Sequence, residues 1–134
     1  MILLDTVVLS ELRKARPSAK VLAWLQKQQP DQIFVSVVSL GEIERGITKA
    51  RKTDLVFAQN LTVWLEDLVL LYSDRILAVS APIARRWGRL SAELGHEGAD
   101  LLVAATALEH GLAVATRNVR HFKPTEVEVV NPFA

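Results

Sequence analysis

Short apolar runs alternate with amphipathic stretches along the whole chain. Ile2-Leu3-Leu4 is a brief apolar run that stops at an acid, Asp5. Ile33-Phe34-Val35 is β-branched and aromatic, the composition of a strand. Ile76-Leu77-Ala78-Val79, Leu112–Thr116 and Val127–Val130 read the same way. Between them lie helical periods. Ser18, after Pro17, caps a helix whose apolar face is Val21, Leu22, Trp24 and Leu25. Leu40, Ile43 and Ile47 predict a helix from Ser39 to about Ala50. Thr53-Asp54 opens a longer one with the stripe Phe57, Leu61, Trp64, Leu65 and Leu68. Ser80, with Pro82 in the first turn, starts a helix carrying Ile83, Trp87, Leu90 and Leu94 on one face, and Gly95 ends it. Asp100 opens the last long helix, which runs to about His110 and stops at Gly111.

Strand and helix alternate throughout, so the predicted architecture is α/β: a three-layer α/β/α sandwich with a mostly parallel sheet, formed by residues 1–134 as one domain. Right-handed crossovers then place helices on both faces. In such sheets sites form beyond the carboxyl ends of the strands.

Half of the 134 residues are hydrophobic and 23% are charged, which excludes intrinsic disorder. There are no cysteines, so a disulfide scaffold, a thiolate metal site and a thiol nucleophile are excluded. Sixteen Lys+Arg against 15 Asp+Glu leave a net charge of +1, so any nucleic-acid binding must come from a local patch. The longest unbroken apolar runs are five residues, far short of a membrane span, and no export signal opens the chain. The expected location is cytoplasmic. A mean hydropathy of +0.21 is high for a small soluble monomer and implies apolar surface kept for a partner.

The placement rule makes the acids informative. Asp5 follows the first strand, Glu42 lies in the first turns of the helix after the second, and Asn118 follows the fourth. Asp100 opens the helix before the fourth strand, whose N-terminus faces the same rim. Three carboxylates brought into one cleft repel unless a cation sits among them. Oxygen ligands, with no cysteine and no nearby histidine, select a hard ion, Mg²⁺ or Mn²⁺. That chemistry suits phosphodiester hydrolysis and needs no protein nucleophile. Taken singly, each residue has a structural reading. Asp5 or Thr6 caps a helix starting near Val7; Glu42 is a solvated helix residue beside an equally acidic Glu44; Asp100 complements a helix dipole; Asn118 is a turn residue. Their shared position favours the joint reading.

Four stretches carry a resemblance. They are Leu3-Leu4-Asp5-Thr6, Ser36-Val37-Val38-Ser39-Leu40-Gly41-Glu42-Ile43, Gly98–Ala107 with Asp100 near its start, and Ala115-Thr116-Arg117-Asn118-Val119-Arg120-His121-Phe122. With the closing Asn131-Pro132-Phe133 they resemble the PIN-domain ribonucleases, in particular VapC-type toxins of toxin–antitoxin pairs and their FitB-like branch. The resemblance implies a Mg²⁺- or Mn²⁺-dependent endoribonuclease whose acids are Asp5, Glu42 and Asp100, a homodimer, and a VapB-like antitoxin that silences it. DNA is then met only through the antitoxin. Two positions depart from the family. Val7 stands where an asparagine is usual, and the fourth acid is missing, leaving Asn118 as a neutral oxygen ligand and His121 beyond it. A second ion is therefore expected to bind more weakly.

Arg117 and Arg120 adjoin the last ligand and are expected to grip phosphate, with Thr6, Ser39 and Thr116 orienting water or substrate. His96, His110 and His121 show no metal-ligand spacing. Leu12, Trp24, Trp64 and Trp87 are the candidates for the partner surface. The main rival is an inert PIN-like module that works only by binding its antitoxin. Phosphatase and receiver readings fail because the chain lacks Asp-x-Asp after the first strand and a receiver's acidic pair, and a Rossmann site fails for want of a glycine-rich loop.

Overall fold

The computed structural model describes residues 1–134. The elements run in order β1 (Ile2–Leu4), α1 (Thr6–Arg13), α2 (Ala19–Gln26), β2 (Ile33–Ser36), α3 (Val37–Ala50) and α4 (Leu55–Leu71). They continue with β3 (Ile76–Leu77), α5 (Ala81–Leu94), α6 (Ala99–His110), β4 (Ala113–Ala115), α7 (Val119–Phe122) and β5 (Val129–Val130). The five strands form one sheet in the order β3-β2-β1-β4-β5, and every pairing is parallel. No helix is long and apolar enough to cross a membrane.

Side-chain alternation along the strands builds a core on each face. Leu4, Ile33, Val35 and Ala115 pack on one side with Val8, Leu9 and Val21 from the first two helices and Ile43, Ile47, Leu61 and Leu68 from α3 and α4. Leu3 and Val114 point the other way, onto Val103, Ala104, Ala107 and Phe122. The predicted three layers follow directly. Helix α6 is buried almost all round, from Leu101 through Ala107. A helix so enclosed holds its first turn, and hence Asp100, firmly.

Most predicted boundaries stand, and the departures have local causes. Ser18, Asp54 and Ser80 each accept a backbone N–H as helix caps. Gly95 and Gly111 end their helices in the left-handed region, at φ 77° and 67°, which only glycine adopts without strain. Helix α3 begins at Val37 rather than Ser39, because Ser36 is the cap, accepting from the Val38 N–H. The third strand is two residues rather than four, since it is an edge strand with a single neighbour. Arg75 ties that edge down. Its guanidinium donates to the carbonyls of Pro30, Ile33 and Leu71 and lies 4.6 Å from the Tyr72 ring centre.

The topology reverses between β1 and β4: chain order runs outward to β2 and β3 on one side and to β5 on the other. Such a switch point opens a crevice at the strands' carboxyl ends. Phe122 secures the segment that follows β4, since its ring is fully buried in the second core. Phe122→Ala should destabilise the fold by about 3–5 kcal/mol in urea titration. A loss below about 1 kcal/mol would show that the ring is no anchor.

Candidate active site

Asp5 ends β1 at the switch point, its backbone N–H donating to the Ala115 carbonyl at 3.0 Å. It stands at the N-cap of α1, yet its side chain caps nothing. Asp5 is 4% exposed, and its Oδ2 accepts from Thr116 Oγ1 at 2.8 Å. Thr116 is itself held, its Oγ1 accepting the Asn118 N–H at 2.9 Å. Burial pushes the Asp5 carboxyl from its ordinary 3.8 up to about 6. The Thr116 hydroxyl and the Thr6 backbone N–H pull it down, and the charges of Asp100 and Glu42 push it up. The other two predicted acids are therefore near enough to Asp5 to act on its charge.

Glu42 is exposed on α3, its Oε1 2.7 Å from Thr6 Oγ1. Thr6 Oγ1 is also 2.8 Å from Ser39 Oγ, which is fully buried. A hydroxyl has one proton, so Thr6 donates to the carboxylate and accepts from Ser39. Asp100, in the first turn of α6, faces His121: Nδ1 lies 3.0 Å from Asp100 Oδ2. The expectation that no histidine stands near the acids is thus corrected. His121 stands where the resemblance put a missing fourth acid, but its link to Asp100 has no signal in the sequence, because the partner is remote and α7 is a four-residue helix with no period to read.

The other expected contacts divide. Asn118 caps α7 by position, without a side-chain capping bond, and reaches the site through its backbone. Arg117 lies with its guanidinium 3.8 Å from the Phe133 ring centre, and its charge reaches Glu11 rather than the acids. Glu11 is the other buried carboxylate. It accepts from Lys14 Nζ and the Ser18 N–H, both at 2.9 Å, and these hold it below the usual carboxylate range. Arg120 is exposed. Val7 packs against the first core, which accounts for an apolar residue there.

No three of the Asp, Glu and His side chains stand close enough to enclose one ion between them. Mg²⁺ keeps several waters and needs only one or two carboxylates together with substrate phosphate. The donors fit such an ion: an aspartate raised by burial, with two further acids adding to the shift, is relieved when a dication joins it.

Residues 2–126 match the PIN domain family. The chain belongs to that family. Among its relatives, VapC ribonuclease Y4jK of Sinorhizobium fredii is 32% identical over 140 residues, covering 99% of this chain and 98% of that protein. Toxin FitB of Neisseria gonorrhoeae is 32% identical over 142 residues and 99% of each chain. The solved structure of FitAcB from Neisseria gonorrhoeae superposes with a TM-score of 0.82 at 32% identity, over 99% of both chains. That of FitAB bound to an IR36 DNA fragment gives 0.85 at 31%, over 100% of this chain and 96% of the other. This PIN domain is of the VapC and FitB kind.

The raised Asp5 carboxyl fixes the sign of a pH effect on the PIN domain. Between about pH 4 and about pH 6 the folded chain holds the proton that the unfolded chain releases. Without divalent cations, stability therefore falls as pH rises through that window, by up to about 3 kcal/mol. Asp5→Asn keeps an acceptor for Thr116 and carries no charge. In EDTA at pH 8 it should melt several degrees above wild type, with the gap closing near pH 4. Equal melting at pH 8 would show that the buried charge costs nothing.

Proposed function

We propose that this PIN domain is a Mg²⁺- or Mn²⁺-dependent endoribonuclease, the toxin of a toxin–antitoxin pair. The observation that carries this reading is the buried Asp5 carboxyl, raised to about 6 with Asp100 and Glu42 beside it. Asp5 and Asp100 would hold the cation, and the Asn118 side chain would offer it a neutral oxygen. A bound Mg²⁺ supplies charge to neutralise the scissile phosphate and to acidify a water molecule. Thr116 fixes the Asp5 carboxylate. Thr6, steadied by Ser39, fixes Glu42 through Oε1. Glu42 Oε2 then accepts the proton of the attacking water. The water oxygen bonds to phosphorus, one P–O ester bond breaks, and the leaving alkoxide takes a proton from solvent. Arg120, exposed on α7, meets the phosphates of RNA; Arg117 joins it only by leaving Phe133.

A VapB-like antitoxin is the natural partner, since relatives of this chain are solved as FitAB complexes, one of them on DNA. The apolar surface left for partners is on α4, where Leu55, Val56, Val63, Leu70 and Leu71 are 58% to 75% exposed. Leu12, Trp24 and Trp64 are partly buried, packed against the first core. A homodimer uses further surface of this kind.

The inert-module reading rests on Val7 and Asn118, where the chain departs from the family's pattern. Antitoxin-free protein incubated with structured RNA separates the two. Cleavage should occur in Mg²⁺ or Mn²⁺, vanish in EDTA, and fall at least about a hundredfold in Asp5→Asn and Asp100→Asn. The same cleavage in wild type and variants would mark a contaminant and sink the catalytic reading. No cleavage, with antitoxin still bound, would establish the inert module.

A further inference from the structure

One short segment places a polar side chain against each aspartate. Thr116, the first residue past β4, donates Oγ1–H to Asp5 Oδ2 at 2.8 Å. Five positions on, His121 sets Nδ1 3.0 Å from Asp100 Oδ2. Both ends of this segment are fixed. Thr116 is fully buried, its backbone N–H donating to the Val130 carbonyl at 2.9 Å. Phe122 is fully buried beside Val103, Ala104 and Ala107, the first two turns past Asp100 in α6. Between them the Asn118 N–H reaches Thr116 Oγ1, and the His121 N–H reaches the Asn118 carbonyl at 3.0 Å. The imidazole is 61% exposed, yet it rides on an anchored turn.

Asp100 needs such support. The N-cap of α6 is Gly98, which makes no side-chain capping bond, and Asp100 is not drawn into that role. Its side chain is one third exposed, and freezing its rotamer at the moment a ligand arrives costs entropy. We infer that His121 is the positioning residue of Asp100, and that the segment from Thr116 to His121 is a two-point brace that sets the spacing of the aspartates for one hard cation, an inference resting on the cation site proposed above. An Nδ1–H donates whether or not Nε2 also carries a proton, so the brace does not depend on the charge of the imidazole. From 3.0 Å, an Nδ1–H turned onto Oδ2 orients the carboxylate and leaves Oδ1 for the ion, as outer hydrogen bonds do at other metal sites. A carboxylate at position 121 would instead add a further anionic oxygen and repel Asp100.

Mn²⁺ binding to the full, antitoxin-free chain, followed by electron paramagnetic resonance of the free ion, tests this without reference to activity. His121→Ala should weaken Mn²⁺ about tenfold. His121→Asn, whose amide nitrogen can replace Nδ1 as donor, should stay near wild type. Equal weakening in both variants would overturn the positioning role while leaving the cation site intact. Tighter binding by His121→Ala would overturn it too, because the imidazole would then compete with the ion. If wild type retains no Mn²⁺ that Asp5→Asn releases, the cation site itself is wrong, and the brace falls with it.

Discussion

A carboxylate buried at the junction of two parallel strands is the constraint on which the rest of this structure turns. Asp5 is carried out of water by β1, the central strand, and the fold answers with the Thr116 hydroxyl and the Thr6 N–H. Those donors do not offset the burial, because the carboxyl remains raised to about 6. Two further acids arrive from α3 and α6 and worsen the repulsion. A fold under selection for stability alone would place an apolar residue or an amide there. Retaining an acid that costs stability is the mark of a site that uses its charge.

The architecture spends its order on that rim. Helix α3 follows β2 without a connecting loop, so Ser39 and Glu42 are placed by the strand itself. The buried α6 presents Asp100 from a rigid first turn, and the fully buried Phe122 pins the α7 turn that carries His121. The opposite tendency governs α4, which is apolar on most sides and covers only part of that surface with its neighbours. Rigid acids at one edge and uncovered apolar surface at another fit a domain that both acts on a polyanion and is handled by a protein partner.

Much of this was legible in the residues, for physical reasons that can be named. Helix ends were readable wherever one side chain does the work: Ser18, Asp54 and Ser80 cap, Gly95 and Gly111 stop. Asp5, Glu42 and Asp100 could be gathered because parallel topology sends the ends of unrelated segments to one edge. What stayed hidden depends on partners distant in sequence. The tie between His121 and Asp100 joins two helices that no spacing rule links. Val7 departs from the family's usual asparagine because here it belongs to the first core. The stacking of Arg117 on Phe133 draws a guanidinium from the phosphate role its position suggested. Helix α4 keeps its predicted stripe, with Leu61, Trp64, Leu65 and Leu68 in or against the first core, except at its start, where Phe57 is 40% exposed.

The central claim is that Asp5 is held as a strained anion until a dication arrives. A carbon-13 NMR titration of its side-chain carboxyl reads this directly. Without divalent ions the midpoint should fall at about 6, and with saturating Mg²⁺ it should drop below the ordinary 3.8. A midpoint near 3.8 in EDTA that Mg²⁺ leaves unmoved would contradict the account.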